Sequence, residues 1–321
     1  MTKRPSWLRI HSPSPEQADN MAAMRSLLKQ HRLTTVCQGA LCPNACECWG
    51  RKTATFMILG NTCTRACRFC AVPTGNPQGR LDESEPERLA AAVADLDLSY
   101  VVITSVDRDD LHDGGAAHFA NVIRAIHDLR PTITIEVLIP DFAGLTASLG
   151  TILQAEPDVI GHNIETVRRL SGSLRDPRAD YDQSLSVLHW LHQQSPRLPL
   201  KSSLMLGLGE TTHEIVACLR DLFAVGVRAV TLGQYMPPND DAAALVRYIP
   251  PEEFDRFAEA AHEIGFVHVV SGPLVRSSYH ADDIKPLLTD DIGSSHADSV
   301  SSSHTDDIKP LLTDSVGSQD R

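Results

Sequence analysis

The sequence predicts an α/β protein: a partial or complete (β/α) barrel, with an N-terminal extension that carries cysteines and a disordered C-terminal tail. Short β-branched segments alternate with amphipathic segments from residue 53 onward, which is typical of a parallel sheet with helical crossovers. Polar, glycine-containing loops follow the predicted strands, as they do at the rim of a barrel. The last 42 residues differ in composition from the rest of the chain.

The predicted elements follow one another in a regular order. Residues 1–20 are polar and contain proline, and residues 21–31 have the apolar spacing of a short helix. Seven strands are then predicted, at residues 53–59, 100–105, 133–139, 158–162, 200–206, 229–234 and 266–270. Six amphipathic helices lie between them, at residues 85–96, 116–129, 145–155, 181–193, 212–225 and 252–264. We therefore place the arm and cysteine loop at 1–50, the barrel at 51–279 and the tail at 280–321.

The bulk composition is that of a globular enzyme. Hydrophobic residues make up 42% of the 321 residues and charged ones 22%. The N-terminus lacks the apolar run of a signal peptide, and no stretch approaches the roughly 20 apolar residues that span a bilayer. We therefore expect a cytoplasmic protein with no membrane role. The formal net charge of −12 argues against nucleic acid as a partner, because phosphate binding requires a basic surface.

The tail contains an internal duplication. Residues 280–294 recur as residues 304–318, at an offset of 24, with a spacer rich in Ser, His and Asp between the copies. Nine Asp against two Lys and one Arg give the tail half of the net charge. Two copies of so short a unit cannot form a solenoid core, so we expect disorder. The alternative is a pair of linear motifs in which Ile-Lys-Pro-Leu-Leu is the docking element.

The second of two cysteine groups carries the strongest functional signal. Cys63, Cys67 and Cys70 form a C-x3-C-x2-C loop after the first barrel strand. Three thiolates on so short a loop can hold three irons of a cubane cluster and leave the fourth iron open. S-adenosylmethionine can chelate that iron, and one electron then yields methionine and a 5′-deoxyadenosyl radical. The alternative is a structural zinc site, which normally has four ligands in two pairs.

The first cysteine group suggests a second iron–sulfur site. Cys37, Cys42 and Cys48 have C-x4-C-x5-C spacing, and Cys46 is a surplus thiol between them. Three cysteines leave a fourth ligand to be found, and the neighbouring sequence does not identify it. Cys218 lies in an apolar helical pattern and is interpreted as a core residue.

Several stretches resemble lipoyl synthases, a family of radical S-adenosylmethionine enzymes. The resemblance covers about residues 30–282, and its main stretches are residues 35–44, 53–60, 104–111, 161–167 and 276–282. The C-x3-C-x2-C loop alone indicates only the superfamily. The upstream C-x4-C-x5-C group and the Arg-Ser-Ser-Tyr sequence resemble this family in particular. The resemblance implies a barrel of the radical S-adenosylmethionine type.

The resemblance also implies a reaction. Two sulfur atoms would be inserted at C6 and C8 of an octanoyl chain that is amide-linked to a lysine of a carrier protein. These C–H bonds have no acidic proton for a base to remove, so a carbon radical suits the task better than general base catalysis. Cys63, Cys67 and Cys70 match the ligands of the 4Fe–4S cluster that binds S-adenosylmethionine.

A second 4Fe–4S cluster, taken apart to donate sulfur, is implied as well. Cys37, Cys42 and Cys48 match three of its ligands, and Ser278 in the Arg-Ser-Ser-Tyr sequence matches the fourth. A serine alkoxide is a harder ligand than thiolate, so its iron should be lost more easily. Without the resemblance, the same serine would be interpreted as part of a solvated loop.

We expect S-adenosylmethionine contacts at the ends of the predicted strands. Carboxylates there can bind its ammonium or ribose groups, and glycines allow close approach of the backbone. A solvated acidic turn is the alternative for residues 109–115. The candidate residues are Phe69, Asp109, Gly114, Gly115, Asn163 and Glu165.

The implied partners are octanoylated lipoyl carrier domains of 2-oxoacid dehydrogenases or the H-type protein of glycine cleavage, an electron donor and an iron–sulfur carrier for cluster repair. A basic rim could steer an acidic carrier, although ordinary surface arginines are the alternative. The arginines concerned are Arg168, Arg169, Arg175 and Arg178.

Three features depart from the family pattern: Gln38-Gly39 in place of an acidic pair, the added Cys46, and the duplicated tail. Two rival functions remain open at this point. Another twin-cluster enzyme, such as a methylthiotransferase, would need an RNA-binding module that the sequence lacks. The other rival is a non-catalytic iron–sulfur or zinc protein.

Overall fold

The computed structural model describes residues 4–9, 14–39, 42, 44–51, 53–284 and 286–289. Its centre is one eight-stranded sheet, in which each strand lies beside the next strand along the chain. The strands are β1 (Thr34–Thr35), β2 (Thr53–Ile58), β3 (Tyr100–Ser105), β4 (Thr134–Leu138), β5 (Val159–Gly161), β6 (Leu200–Leu206), β7 (Ala229–Gln234) and β8 (His268–Gly272).

Strands β2 to β8 are parallel, and β1 pairs antiparallel with β2. In the part of the chain that the structure describes, no strand pair joins β8 to β2, so the sheet forms a partial barrel. The predicted fold class is confirmed. The seven parallel strands lie close to their predicted positions because parallel strands are buried on both faces and are therefore visible as short apolar runs.

The helices that connect the parallel strands cover the outer face of the sheet. The described helices are α1 (Pro15–Gln30), α2 (Val36–Gly39), α3 (Ala45–Gly50), α4 (Glu85–Asp95), α5 (Ala116–Leu129), α6 (Thr146–Leu153), α7 (Arg168–Leu174), α8 (Tyr181–Gln194), α9 (Thr212–Ala224), α10 (Pro251–Ile264) and α11 (Pro286–Thr289). Within the described residues, 3-10 turns occur at Ser6–Leu8, Phe142–Gly144 and Ala281–Ile284. None of the described helices is long and apolar enough to cross a bilayer.

Local sequence signals explain where several helices begin and end. Ser14 and Gln17 form a capping box that starts α1 six residues before the predicted helix. Thr211 and Glu214 form the same motif at the start of α9. Helix α10 ends at Gly265, whose φ of 116° lies in the left-handed region that glycine adopts without strain.

A buried ion pair lies inside the barrel. Lys201 Nζ on β6 donates to Glu136 Oε1 on β4 at 2.9 Å, and the Tyr100 hydroxyl on β3 donates to Glu136 Oε2 at 2.6 Å. The three side chains belong to nearly fully buried residues. Burying such charges is tolerated only where each has a partner, so this trio ties three strands together in one register.

Residues 281–284 and 286–289, which the sequence analysis places in the tail, belong to the folded part of the protein. The turn Ala281–Ile284 and helix α11 close the barrel from inside. Ala281, Ile284 and Leu287 are buried against side chains of β3, β5 and β7. Their spacing puts three apolar side chains on one face, a pattern too short to stand out in a polar segment. The rest of the tail, residues 290–321, lies outside the described residues.

Candidate active site

The C-x3-C-x2-C loop lies at the C-terminal rim of the barrel. Cys63, Cys67 and Cys70 all line one cavity of about 190 Å³. The ends of β3, β4 and β5 contribute its other walls, as expected for a site at the rim of a parallel barrel. The predicted loop cysteines are therefore brought together at the open end of the sheet.

Backbone N–H groups point at each of these sulfurs. Arg65 N donates to Cys63 Sγ at 3.4 Å, and Val72 N donates to Cys70 Sγ at 3.5 Å. The third bond comes from a distant part of the chain, because Asp176 N donates to Cys67 Sγ at 3.3 Å. Such bonds stabilise negative charge on sulfur and tune the potential of a cluster that the sulfurs hold.

The thiols are protonated in the absence of a metal. Burial raises the pKa of Cys63 to about 11 and that of Cys67 to about 12, and it also raises the pKa of Cys70. Nearby carboxylates, Asp107 and Glu165, add to the effect. Binding of iron must therefore displace protons from these sulfurs.

Arg65 anchors the loop to the barrel. Its guanidinium is buried and contacts Asp109 and Asp141 at 2.8 Å and Asp107 at 3.3 Å. Although burial opposes ionisation, this guanidinium keeps the pKa of Asp141 below its usual value. A planar group with five donors can bridge three carboxylates that come from two loops, after β3 and after β4. The position of the cysteine loop is thus set from within the barrel.

Two predicted contact residues face the cavity at the end of β5. Asn163 and Glu165 both line it, and burial raises the pKa of Glu165 while Arg175 and Asn163 oppose the rise. Glu165 has a φ of 68°, which is unusual for a residue with a side chain. Its backbone bonds to Ser203 and Met205 on β6 hold it there. Strained backbone of this kind clusters at functional sites.

Asp107, Arg175 and His162 also line the cavity, and the sequence-based prediction did not include them among the cofactor contacts. Burial raises the pKa of Asp107 to about 6, in spite of the Arg65 guanidinium. His162 Nδ1 donates to the Ile139 carbonyl at 3.0 Å, and its Nε2 has no partner. Asp107 is the first carboxylate after β3, and that position would have been a usable signal. Arg175 reaches the cavity from the end of α7, a helix that was not predicted.

The acidic turn after β3 contacts the cysteine loop. Asp109 points to Arg65, Thr64 and Arg178 and does not line the cysteine cavity. Gly114 and Gly115 have positive φ values of 65° and 92° at the start of α5. A Cβ on Gly115 would lie 2.5 Å from Leu59 Cδ1, so protein packing accounts for this glycine. Contact of these three residues with S-adenosylmethionine stays a prediction.

Phe69 lines the cavity beside the cysteines. Its ring packs against a small apolar cluster that includes Leu208 and Tyr235. The backbone of the preceding residue is fixed on both sides, since Arg68 N donates to the Leu174 carbonyl and Ala243 N donates to the Arg68 carbonyl, each at 2.7 Å. Phe69 therefore forms a rigid apolar wall.

The upstream cysteines form a second group against β2. Burial, together with neighbouring Cys37 and Cys42, raises the pKa of Cys48 to about 12. Burial and Cys42 likewise raise the pKa of Cys37. The three thiols thus lie close enough to affect one another. Cys46 points elsewhere, with its Sγ 2.8 Å from Met21 Sδ of α1.

The Arg-Ser-Ser-Tyr stretch packs against this group. Thr55 of β2 connects the two, because its hydroxyl donates to Ser278 Oγ at 2.9 Å and its backbone N–H faces the Cys37 thiol. The backbone of His280 likewise donates to Cys48. Residues about 230 positions apart in the sequence are therefore neighbours at this second site.

Side-chain contacts fasten the C-terminal segment to α3 and the residue after it. The Tyr279 hydroxyl lies 3.1 Å from Glu47 Oε2, and His280 Nε2 lies 2.6 Å from Glu47 Oε1. Arg51 contacts Asp282 at 2.8 Å and also contacts Asp283. These contacts hold Ser278 beside the cysteines.

The arginines expected to form a basic rim are already engaged. Arg168 contacts Asp182, Arg169 contacts Glu214, and Arg178 contacts Asp176. Arg175 donates to the Ser184 hydroxyl at 2.9 Å inside the protein. These contacts favour the alternative of ordinary structural arginines. Cys218 is buried in α9, as expected for a core residue.

The cysteines of the rim loop fit an iron–sulfur cluster. Within the described residues, no three His, Cys, Asp or Glu side chains converge tightly enough for a single metal ion. A cubane cluster spreads its ligands over separate irons, so it needs wider spacing than one ion. Three soft sulfur donors around one cavity, each facing a backbone N–H group, suit the cluster.

Similarity to known proteins places the chain in a class. The model of the radical SAM superfamily matches residues 57–222, from β2 to α9. Fold and site therefore define a radical SAM enzyme, a class that uses a 4Fe–4S cluster and S-adenosylmethionine. Lipoyl synthase of Thermus thermophilus is 51% identical over 281 residues, covering 88% of this chain and 86% of that protein. The chain belongs to the lipoyl synthase family and is a sulfur-inserting enzyme.

A second relative agrees with this family assignment, and a solved structure shares the fold. Lipoyl synthase of Deinococcus radiodurans is 51% identical over 282 residues, covering 88% of this chain and 84% of the relative. The crystal structure of Streptococcus suis SuiB bound to S-adenosylmethionine superposes with a TM-score of 0.52 at 11% identity. That comparison covers 80% of this chain and 54% of SuiB, and it shows the fold alone.

Proposed function

We propose that this enzyme inserts two sulfur atoms, at C6 and C8, into an octanoyl-lysine carried by a lipoyl domain. The observation that best supports the proposal is the presence of two separate cysteine sites. One is open to a rim cavity, and the other is covered by the C-terminal segment. One site then suits a cofactor that must reach substrate, and the other suits a protected store of sulfur.

At the rim, Cys63, Cys67 and Cys70 hold three irons of a 4Fe–4S cluster. When bound, the cluster supplies the electron that cleaves S-adenosylmethionine, and this cofactor supplies the radical that removes hydrogen from carbon. Asn163 and Glu165 provide polar groups for its amino acid portion. Phe69 forms an apolar wall that excludes water from the reacting carbon.

At the covered site, Cys37, Cys42, Cys48 and Ser278 hold the second 4Fe–4S cluster, which supplies the sulfur. Thr55 orients Ser278 through its hydroxyl and faces Cys37 with its N–H. Cys46 has no role as a ligand here, because its sulfur faces Met21. Asp109, Gly114 and Gly115 act at the edge of the cofactor site.

The substrates are octanoylated lipoyl domains of 2-oxoacid dehydrogenases or the H-type protein of glycine cleavage. An electron donor and an iron–sulfur carrier complete the set of partners. All eight cysteines are free thiols, which suits a reducing compartment such as the cytoplasm.

The proposal is tested by anaerobic reconstitution followed by turnover. Two 4Fe–4S clusters per chain are expected, with no stoichiometric zinc. Incubation with S-adenosylmethionine, a reductant and an octanoyl-lysyl peptide should give 5′-deoxyadenosine and a peptide with two added sulfurs. Cys63→Ala should abolish the nucleoside, whereas Cys37→Ala should leave nucleoside formation and abolish sulfur insertion.

Two outcomes would contradict the proposal. Stoichiometric zinc in place of iron would indicate a zinc scaffold. Nucleoside formation with no sulfur in the peptide, in a chain that holds both clusters, would point to another twin-cluster enzyme such as a methylthiotransferase. Cys218→Ala serves as the control, because that thiol lies in the core away from both sites.

A further inference from the structure

The described part of the tail has a defined binding place, which we call the docking site. It consists of Thr55 on β2, Glu47 and Arg51 in and after α3, and the apolar side chains of β3, β5 and β7 that face the barrel interior. The segment that fills it, residues 277–284 and 286–289, belongs to the first copy of the duplicated stretch. Ile284 and Leu287 are its buried apolar anchors.

The chain carries a second copy of the same segment. Fourteen of the eighteen residues from 277 to 294 recur 24 positions later, at 301–318. The duplication extends upstream of the histidine, so that Ser302 stands where the first copy has Ser278. The other contact residues recur as His304, Asp306, Asp307, Ile308 and Leu311.

Two differences make the second copy the weaker one. Tyr279 is replaced by Ser303, which removes the hydroxyl contact with Glu47 and the ring stacked on His280 at 4.0 Å. Ala281, which is fully buried, is replaced by Thr305. A larger, polar side chain in a filled site carries both a packing cost and a desolvation cost. The first copy therefore occupies the docking site when both copies are intact.

We propose that the second copy, residues 301–313, is an alternative occupant of the docking site in the same chain and brings Ser302 to Thr55. The offset of 24 residues lets the intervening residues form a loop when the second copy occupies the site. The entropic cost of closing such a loop rises only slowly with its length. When the first copy is released, the second copy fills the barrel interior and Ser302 takes the place of Ser278. The role of Ser302 rests on the proposed function, whereas the docking does not.

The docking is tested on the metal-free full chain by thermal unfolding. Ile308→Asp should leave the melting temperature unchanged, and Ile284→Asp should lower it only slightly because the second copy takes over. The double variant should fall by several degrees more than the sum of the two single changes. Ile284→Asp combined with Val300→Asp, in the spacer, is the control for added charge and should match Ile284→Asp alone.

Additive effects of the two substitutions on the melting temperature would overturn the proposal. Two segments that compete for one site must show coupled effects, whereas substitutions at independent sites show additive ones. Light scattering of Ile284→Asp should give the same mass as the unaltered chain. A mass that rises with protein concentration would mean that the second copy docks into another molecule, which also overturns docking within one chain.

The serine role is tested by iron and sulfide content after anaerobic reconstitution. Ile284→Asp, in which the second copy occupies the docking site, should retain the second cluster, and Ile284→Asp with Ser302→Ala should lose the iron of one whole cluster. Equal iron in these two variants would overturn the role of Ser302. If the isoleucine cycle is coupled and neither Ser278→Ala nor Ile284→Asp with Ser302→Ala loses iron, the docking stands and the serine ligand of the proposed function falls.

Discussion

At the scale of single residues, His162 shows how burial sets chemistry at the rim cavity. Desolvation lowers its pKa to about 4, so the ring is neutral at physiological pH. A neutral ring that donates from Nδ1 to the Ile139 carbonyl leaves Nε2 as a bare acceptor. A histidine ring can therefore contribute an acceptor to the site without adding positive charge.

This depressed pKa predicts a pH dependence of stability. Between about pH 6.5 and 4 the unfolded chain binds a proton at His162 and the folded chain does not, so stability falls as pH falls through that window. The loss should approach about 3 kcal/mol for this group across the window. Urea unfolding of the metal-free protein from pH 7 to pH 4.5 should show a shallower dependence in His162→Asn. His189→Asn, at an exposed position, should keep the slope of the unaltered chain, and equal slopes in all three proteins would refute the prediction.

At the scale of elements, the cysteine loop is positioned by a charge network rather than by regular secondary structure. Arg65 inside the loop contacts carboxylates that follow β3 and β4. Asp176, after α7, bonds the loop from the opposite side through both its carboxylate and its backbone. The geometry of the three thiols is therefore specified by segments well beyond their own sequence.

Removing the centre of this network should loosen the loop. Arg65→Met leaves buried carboxylates without a partner, and breaking such a network costs about 3 to 5 kcal/mol. Arg65→Lys should recover part of the stability but less of the iron content at the rim cluster, because a point charge cannot bridge three carboxylates. Urea unfolding and iron analysis measure the two effects. Arg68→Met, in the same loop but exposed, should change stability by less than about 0.5 kcal/mol, and a loss as large as that of Arg65→Met would contradict the prediction.

At the scale of the whole molecule, the N- and C-terminal regions complete the partial barrel. The first cysteine group lies against β2, and the segment after β8 returns to the same strand through Ser278. Asn44 adds a bond to the Leu274 carbonyl at 2.7 Å. Chain regions from both ends thus meet where the sheet does not close on itself.

Truncations should separate the two parts of the tail. A chain ending at residue 289 should be about as stable as the full chain, because it keeps Ile284 and Leu287 buried. A chain ending at residue 279 should lose about 3 to 6 kcal/mol, at about 1.5 to 3 kcal/mol for each large apolar side chain removed from the barrel. Urea unfolding of both metal-free chains measures the difference. Equal stability of the two truncated chains would show that the anchors contribute nothing.

Much of the fold could be predicted because seven parallel strands are β-branched runs and the main helices are amphipathic. The two-residue β1 and the short α7 were missed, since neither has enough residues to show a period. The two groups of cysteines were visible in the spacing of the sequence. The positions of Asp107 and Arg175 at the cavity, and the contact of Thr55 with Ser278, were not predictable, because tertiary packing brings these residues together over long sequence separations.

Strand β2 serves both sites. Thr55 in its middle contacts the second group, and the loop that follows its end carries Cys63. An extended strand has a fixed length, so β2 sets the distance between the two cysteine sites. Under the proposed function, a substrate that reaches both sites needs a flexible arm of its own. The octanoyl-lysine side chain of a lipoyl domain would be such an arm.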